Sequence, residues 1–192
     1  MFEVEGLEQA LRSLGAVLES RALSYEVLVV GGSSLLLLGF ITRPTADLDV
    51  VGLADDGIYR SADPLPDPLA AAVADVGLAL GLAPNWLNAG PASLMDLGLP
   101  VGFEERVTIR RYGSLAIHLA GRTDLICFKL YAAVDQGPRS KHFADLQELA
   151  PTRDELLVAA QWTLTHDTSS GYRGELVKAL TVFAMGTDDA DL

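Results

Sequence analysis

The chain has 192 residues, enough for one domain or a sheet domain with a helical appendage, and at 49% hydrophobic and 21% charged it buries a core instead of staying disordered. Fourteen basic against 26 acidic residues give a formal charge of −12, which argues against broad, non-specific nucleic-acid binding, because that depends on neutralising many phosphates. A lone cysteine, Cys127, excludes an internal disulfide and a cysteine-rich zinc site, and its neighbours Ile126 and Phe128 mark it as a buried structural thiol.

At the start of the chain, Glu3, Glu5 and Glu8 do not suit a signal or transit peptide, so a cytoplasmic location is expected. Residues 4–22 place Leu7, Leu11, Leu14 and Leu18 at steps of four, three and four, the stripe of an amphipathic helix. "YEVLVV" is a β-branched run ended by Gly31-Gly32 and reads as a buried strand. "SSLLLLGF" predicts a short helix packed on the sheet, and Pro44 ends it by biasing Arg43 towards an extended backbone. The uncharged run 27–42 contains Gly-Gly and Ser-Ser and stops short of a membrane span, so no membrane partner is expected.

"DLDVVGL" predicts a second strand, and the polar, proline-rich "ADDGIYRSADPLPDP" after it reads as loop. Residues 69–82 are rich in alanine and leucine and read as helix, and "NWLNAGPAS" as a strand end and turn. "RVTIRRY" and "SLAIHLA" flank Gly113 as a hairpin. From Thr123 the pattern is helical: "DLICFKLYAAVDQ", "FADLQELA", "RDELLVAAQWTLTH" and "GELVKALTVFAM", with Thr152 ahead of Asp154 and Glu155 as a capped start. The acidic end "GTDDADL" is expected to fray. This order predicts an α/β (α+β) sheet domain with a C-terminal helical bundle. The boundary falls between 1–121 and 122–192, either as two parts or as one compact unit.

Two carboxylates stand out in this frame. On a strand, Asp47 and Asp49 point to one face, roughly 7 Å apart at about 3.3 Å per residue, while Leu48 points to the other. Like charges that close are tolerated at a wet rim or around a cation. Magnesium suits them, since it takes one or two carboxylates and completes its octahedron with water and substrate phosphate. Upstream, Gly31 and Gly32 let a phosphate approach the backbone, and Ser33 or Ser34 caps the helix or donates to a phosphate oxygen. A tight turn explains one of those glycines equally well. Arg43 reaches the same cleft to meet a triphosphate charge, or is a solvated loop residue.

Gly-Gly, a short apolar helix, and Arg-x-Thr-x-Asp-x-Asp followed by valines resemble the nucleotidyltransferase fold shared with polymerase β. More closely, the chain resembles the AbiEii-like toxins of type IV toxin–antitoxin systems, the group that includes the MenT proteins. "DLICFKLYAA" followed by "RSKHFADLQELA" is similar to that group's Lys-x-x-Ala helix and basic-to-acidic segment. The two blocks span 29–53 and 122–150.

The resemblance implies a nucleotidyltransferase-like small mixed sheet flanked by helices, and transfer of a nucleoside monophosphate from an NTP, with Mg2+ or Mn2+, to an RNA acceptor, typically the 3′ end of tRNA. It also implies growth inhibition, and a cognate antitoxin protein or kinase as partner. By the same resemblance, Asp47 and Asp49 are the catalytic metal carboxylates, Thr45 a nucleotide-site hydroxyl open to inactivating modification, Lys129 a catalytic residue that binds the nucleotide phosphates and Asp145 a catalytic carboxylate. The nucleotide site then comprises Gly31, Gly32, Ser33, Arg43, Thr45 and Lys129.

Read from the residues alone, Lys129 either snorkels or meets an anion, and Asp145 either serves the site or pairs with Lys141 in its own helix. Polymerase-β-like enzymes commonly carry a third carboxylate on a later strand, and "RVTIRRYGSLAIHLA" has none; His118 within it reads as structural. A haloacid-dehalogenase reading of "DLDVV" is a minor alternative, since Arg-Pro-Thr-Ala precedes the motif where that fold needs an apolar strand. Two other readings stay open. One is a small-molecule, aminoglycoside-type nucleotidyltransferase, mildly favoured by the acidic charge; the other is a non-enzymatic nucleotide-binding regulator.

Overall fold

The computed structural model describes residues 1–183, divided into a first unit, Met1–Gly121, and a second that begins at Arg122. The acidic end that the sequence marks as frayed lies outside the described residues. The first unit is built on six strands: β1 (Tyr25–Val30), β2 (Leu48–Asp55), β3 (Ile58–Ser61), β4 (Leu87–Asn88), β5 (Thr108–Tyr112) and β6 (Leu115–Leu119). They lie in the order β3-β2-β1-β6-β5, with β4 also on β2, to make a mixed sheet. β1 runs antiparallel to β2 and parallel to β6, the central position that its unbroken apolar run requires.

α1 (Val4–Ser20) lays its leucine stripe on this sheet: Leu7, Leu11, Leu14 and Leu18 are fully buried in one cluster with Val27, Val29, Ile117 and Leu119. Each such side chain contributes roughly 1.5–3 kcal/mol relative to exposure. Gly15 lets α1 close on β5, because a Cβ there would overlap the carbonyl of Tyr112. α3 (Asp67–Leu80) joins the same core through Leu69, Val73 and Val76, and stops at Gly81 in the left-handed conformation. Arg21, just past α1, pairs with Asp75 of α3.

The stretch read as loop after β2 is partly sheet. β2 continues to Asp55, turns at Asp56-Gly57 and returns as β3. Both turn residues have positive φ, 50° and 78°, the two-residue turn whose twist matches a hairpin. β3 is an exposed edge strand without apolar alternation, and this hides it from periodicity. The hairpin of β5 and β6 forms around Gly113-Ser114 as its sequence implies. A 3-10 turn (Ala92–Leu97) and the single-turn α4 (Phe103–Arg106) are additions without a sequence signal.

The second unit contains α5 (Arg122–Gln136), α6 (Lys141–Leu149), α7 (Arg153–Leu164) and α8 (Ser170–Val182). Thr152 and Glu155 form a reciprocal capping box at the start of α7. Arg122 donates to Glu155 Oε1 (2.7 Å) and to the carbonyl of Leu149 (2.7 Å), so one guanidinium ties three helices. That bond holds the Glu155 carboxyl below the usual carboxylate range. Cys127 is fully buried. Among the described residues, no helix is long and apolar enough to cross a membrane.

Candidate active site

β1 ends at Val30, whose partner across the antiparallel pair is Asp49. Gly31 follows at once and opens α2 (Gly31–Leu37), so the turn between strand and helix is made against the Asp49 carboxylate. Gly31 has φ +79°, and a Cβ on it would stand 2.5 Å from Asp49 Oδ2. Both backbone angle and space therefore demand glycine. A Cβ on Gly32 would lie 3.1 Å from Thr45 Oγ1 and 3.6 Å from an Arg43 guanidinium nitrogen. The fold thus brings Gly31, Gly32, Arg43, Thr45 and Asp49 to one place.

What holds the far side of this cleft is less visible in the sequence. Thr45 is pinned by its backbone: Phe2 N–H donates to its carbonyl at 2.6 Å, and its own N–H donates to Phe2 at 3.0 Å. Its hydroxyl donates to the carbonyl of Asp47 at 3.3 Å, and the residue is only 5% exposed. Phe2 in turn meets Trp86 edge-on, with ring centroids 6.1 Å apart. Trp86 accepts from Leu48 N–H (2.7 Å) and donates its indole N–H to Val73 (3.0 Å). Phe2 and Trp86 are supports that no local motif announces, since each acts through a partner distant in sequence.

Asp47 precedes β2 by one residue and Asp49 lies within it. Both are half-buried, and the intervening Leu48 is fully buried, as alternation along a strand demands. Among the described residues, no three His, Cys, Asp or Glu side chains cluster into a closed metal site. An open magnesium site asks less of the protein, one or two carboxylates with water and phosphate for the rest. Asp47 and Asp49 are the kind of donors such a site takes, and Gly31, having no Cβ, leaves the Asp49 carboxylate the place it occupies.

Ser33 and Ser34 are both fully buried in α2. Ser33 Oγ donates weakly to the carbonyl of Val30 at 3.4 Å. Ser34, which the sequence leaves level with Ser33, carries a buried hydroxyl with no hydrogen-bond partner among the described residues.

In the second unit, Lys129 of α5 donates to Asp145 of α6 at 2.6 Å, with side chains 4% and 0% exposed. The anion that meets Lys129 is thus Asp145, and the carboxylate of Asp145 reaches across to α5. His118 is 4% exposed and held at both ring nitrogens, Nδ1 to the Tyr59 hydroxyl and Nε2 to Glu26, each at 2.8 Å. Burial, then Glu104 and Glu26, raise the Tyr59 pKa. The phenol therefore keeps its proton. Two arginines of β5 are also engaged: Arg110 donates to the carbonyl of Leu37 (2.7 Å) and to Glu8 (3.3 Å), Arg111 to Glu26 (3.4 Å).

A mixed sheet in this order, with a strand opening on Asp-x-Asp against a glycine turn, is consistent with the nucleotidyltransferase class. The chain belongs to the family of nucleotidyltransferases of unknown function (DUF6036), whose profile matches residues 6–147. The match runs from α1 into α6 and so takes in Gly31-Gly32, Asp47, Asp49, Lys129 and Asp145. No curated protein and no solved structure matches the chain.

Proposed function

We propose that this nucleotidyltransferase moves a nucleoside monophosphate from an NTP to an RNA acceptor, the 3′ end of tRNA, and acts in the cytoplasm as a growth-inhibiting toxin. The observation that carries the nucleotide reading is the fit of Gly31 to Asp49: a left-handed backbone position without a side chain, beside a carboxylate. The RNA acceptor and toxin role rest on the resemblance of the two sequence blocks.

In this reading Asp47 and Asp49 hold Mg2+ or Mn2+. The bound ion would neutralise phosphate charge and lower the pKa of the acceptor hydroxyl. Gly31 and Gly32 leave the backbone open to the phosphates, and Arg43 meets their charge with a planar, permanently cationic fork. Thr45 braces the loop that carries Arg43 and Asp47. Its burial means that a modifying kinase reaches the hydroxyl only when that loop opens. Lys129 and Asp145 serve as a unit: an ammonium has three N–H donors, so bonding to Asp145 and to a phosphate oxygen are compatible. The acceptor oxygen bonds to the α-phosphorus, the α–β bridging bond breaks, pyrophosphate leaves and the hydroxyl proton is released.

A second reading is favoured by one observation, the formal charge of −12: a small cationic acceptor of aminoglycoside type. Incubation with each α-labelled NTP, magnesium, total tRNA and aminoglycosides separates the two. Label should appear on RNA and fall at least about a hundredfold in Asp47→Ala and in Asp49→Ala, the scale of losing a main electrostatic partner of a transition state. Label on the aminoglycoside alone would replace the toxin reading with the second. Binding of NTP without transfer to either would make the chain a regulator.

A further inference from the structure

Asn88 is a residue that nothing in the sequence singles out, and the sheet sets it beside Asp49. β4 pairs in parallel with β2, Leu87 opposite Leu48 and Asn88 opposite Asp49. Opposed residues on neighbouring strands send their side chains to the same face, with strands about 4.8 Å apart. Leu87 and Leu48 are buried, at 3% and 0% exposure, so Asn88 and Asp49 share the other, half-open face. On its other side Asp49 faces Val30. The row therefore reads valine, carboxylate, amide.

The amide has a defined orientation. Gly90 N–H donates to Asn88 Oδ1 at 2.8 Å, and because a backbone N–H can only donate, oxygen and nitrogen are assigned without ambiguity. A Cβ on Gly90 would itself lie 2.8 Å from Oδ1, so the turn closes because glycine is there. Asn88 Nδ2, with two N–H bonds to give, makes one long contact of 3.4 Å to the carbonyl of Asn85. A neutral side chain thus presents donor capacity next to the candidate metal carboxylate.

We propose that Asn88 is a nucleotide-binding residue of this site, donating from Nδ2 to a phosphate oxygen of the NTP. The proposal rests on the nucleotide reading of Asp47 and Asp49. Its chemical logic is charge: a third carboxylate at this position would stand one strand spacing from Asp49 and repel phosphate, whereas an amide supplies a donor and adds no anion.

Asn88→Asp separates this role from a merely structural one, because aspartate keeps the acceptor for Gly90 N–H and loses the donor. The measurement is equilibrium binding of NTP and of the matching nucleoside to wild type, Asn88→Asp and Asn88→Ala, with and without magnesium, alongside thermal melting. In the absence of magnesium, Asn88→Asp should weaken NTP binding by about tenfold or more, the size of a lost hydrogen bond to a charged group, and by more than Asn88→Ala. Nucleoside binding by Asn88→Asp should stay at the wild-type value, and any fall in melting point from the new carboxylate opposite Asp49 should be too small to unfold the chain at the assay temperature. NTP binding by Asn88→Asp equal to wild type would confine the amide to the turn and overturn the proposal. Equal loss for nucleoside and triphosphate, or a lowered melting point that accounts for the loss, would overturn it too. Wild type that binds no NTP sinks the nucleotide reading and Asn88 with it; wild type that binds, with Asn88→Asp unchanged, sinks the Asn88 assignment alone.

Discussion

At the scale of single residues, the two glycines of the turn are expected to differ in kind. Gly31→Ala forces a side chain into a positive-φ backbone and drives a methyl group to within 2.5 Å of Asp49 Oδ2. Left-handed strain of this sort costs about 1–3 kcal/mol, and displacing the carboxylate should abolish NTP binding as well. Gly32→Ala meets Thr45 Oγ1 at 3.1 Å without that backbone conflict, so chemical denaturation should show a smaller loss, with nucleotide affinity reduced and not abolished. Wild-type NTP affinity in Gly31→Ala would remove the glycine cradle from the site. The Gly-Gly and Asp-x-Asp pattern was legible in the sequence because each is a short-range signature of backbone geometry. That Gly31 serves Asp49, and Gly32 serves Thr45 and Arg43, was not, since it depends on which residue of β2 lands opposite Val30.

At the scale of elements, the buried bond from Lys129 to Asp145 joins α5 to α6. Removing one partner leaves the other charge buried, so Lys129→Met or Asp145→Leu alone should cost about 3–5 kcal/mol in urea denaturation, whereas the double variant should recover most of it. Transfer activity then distinguishes a pin from a working pair. The proposed phosphate role expects the double variant to be stable and inactive; recovered activity would reduce the pair to a helix fastening. The helices themselves were readable from apolar spacing and from Thr152 at the head of α7. β3 was not, because an edge strand that buries almost nothing leaves no alternation, and its Asp56-Gly57 turn was the one local clue. Nor could sequence spacing tell that Arg110 would close the end of α2 at Leu37.

For the whole molecule, acidification brings two effects of opposite sign. Falling pH reduces the negative charge towards a pI near 4.5 and so relieves self-repulsion. Against this, burial holds the His166 pKa below its ordinary 6.5, where its ring packs 4.5 Å from that of Trp162. A folded-state pKa below the unfolded one means that His166 supports stability above about pH 6.5 and withdraws it as pH falls through the depressed folded value. Glu155 adds the same sign further down, below its ordinary 4.5. His166→Leu should therefore melt with a flatter dependence on pH between 7 and about 5.5 than wild type, the difference isolating the histidine from the change in overall charge. Identical slopes would show that His166 titrates normally in the folded chain.

Sequence alone determined the helical stripes, the apolar central strands and the two carboxylates at strand spacing, because periods of 3.6 and 2 are imposed by the backbone wherever the chain lies. Tertiary structure decided which residues are brought together: Gly31 against Asp49, Asn88 opposite Asp49 across the sheet, Lys129 with Asp145, His118 with Glu26 and Tyr59. Such meetings are set by strand register and by packing between residues far apart along the chain, quantities that no local pattern encodes.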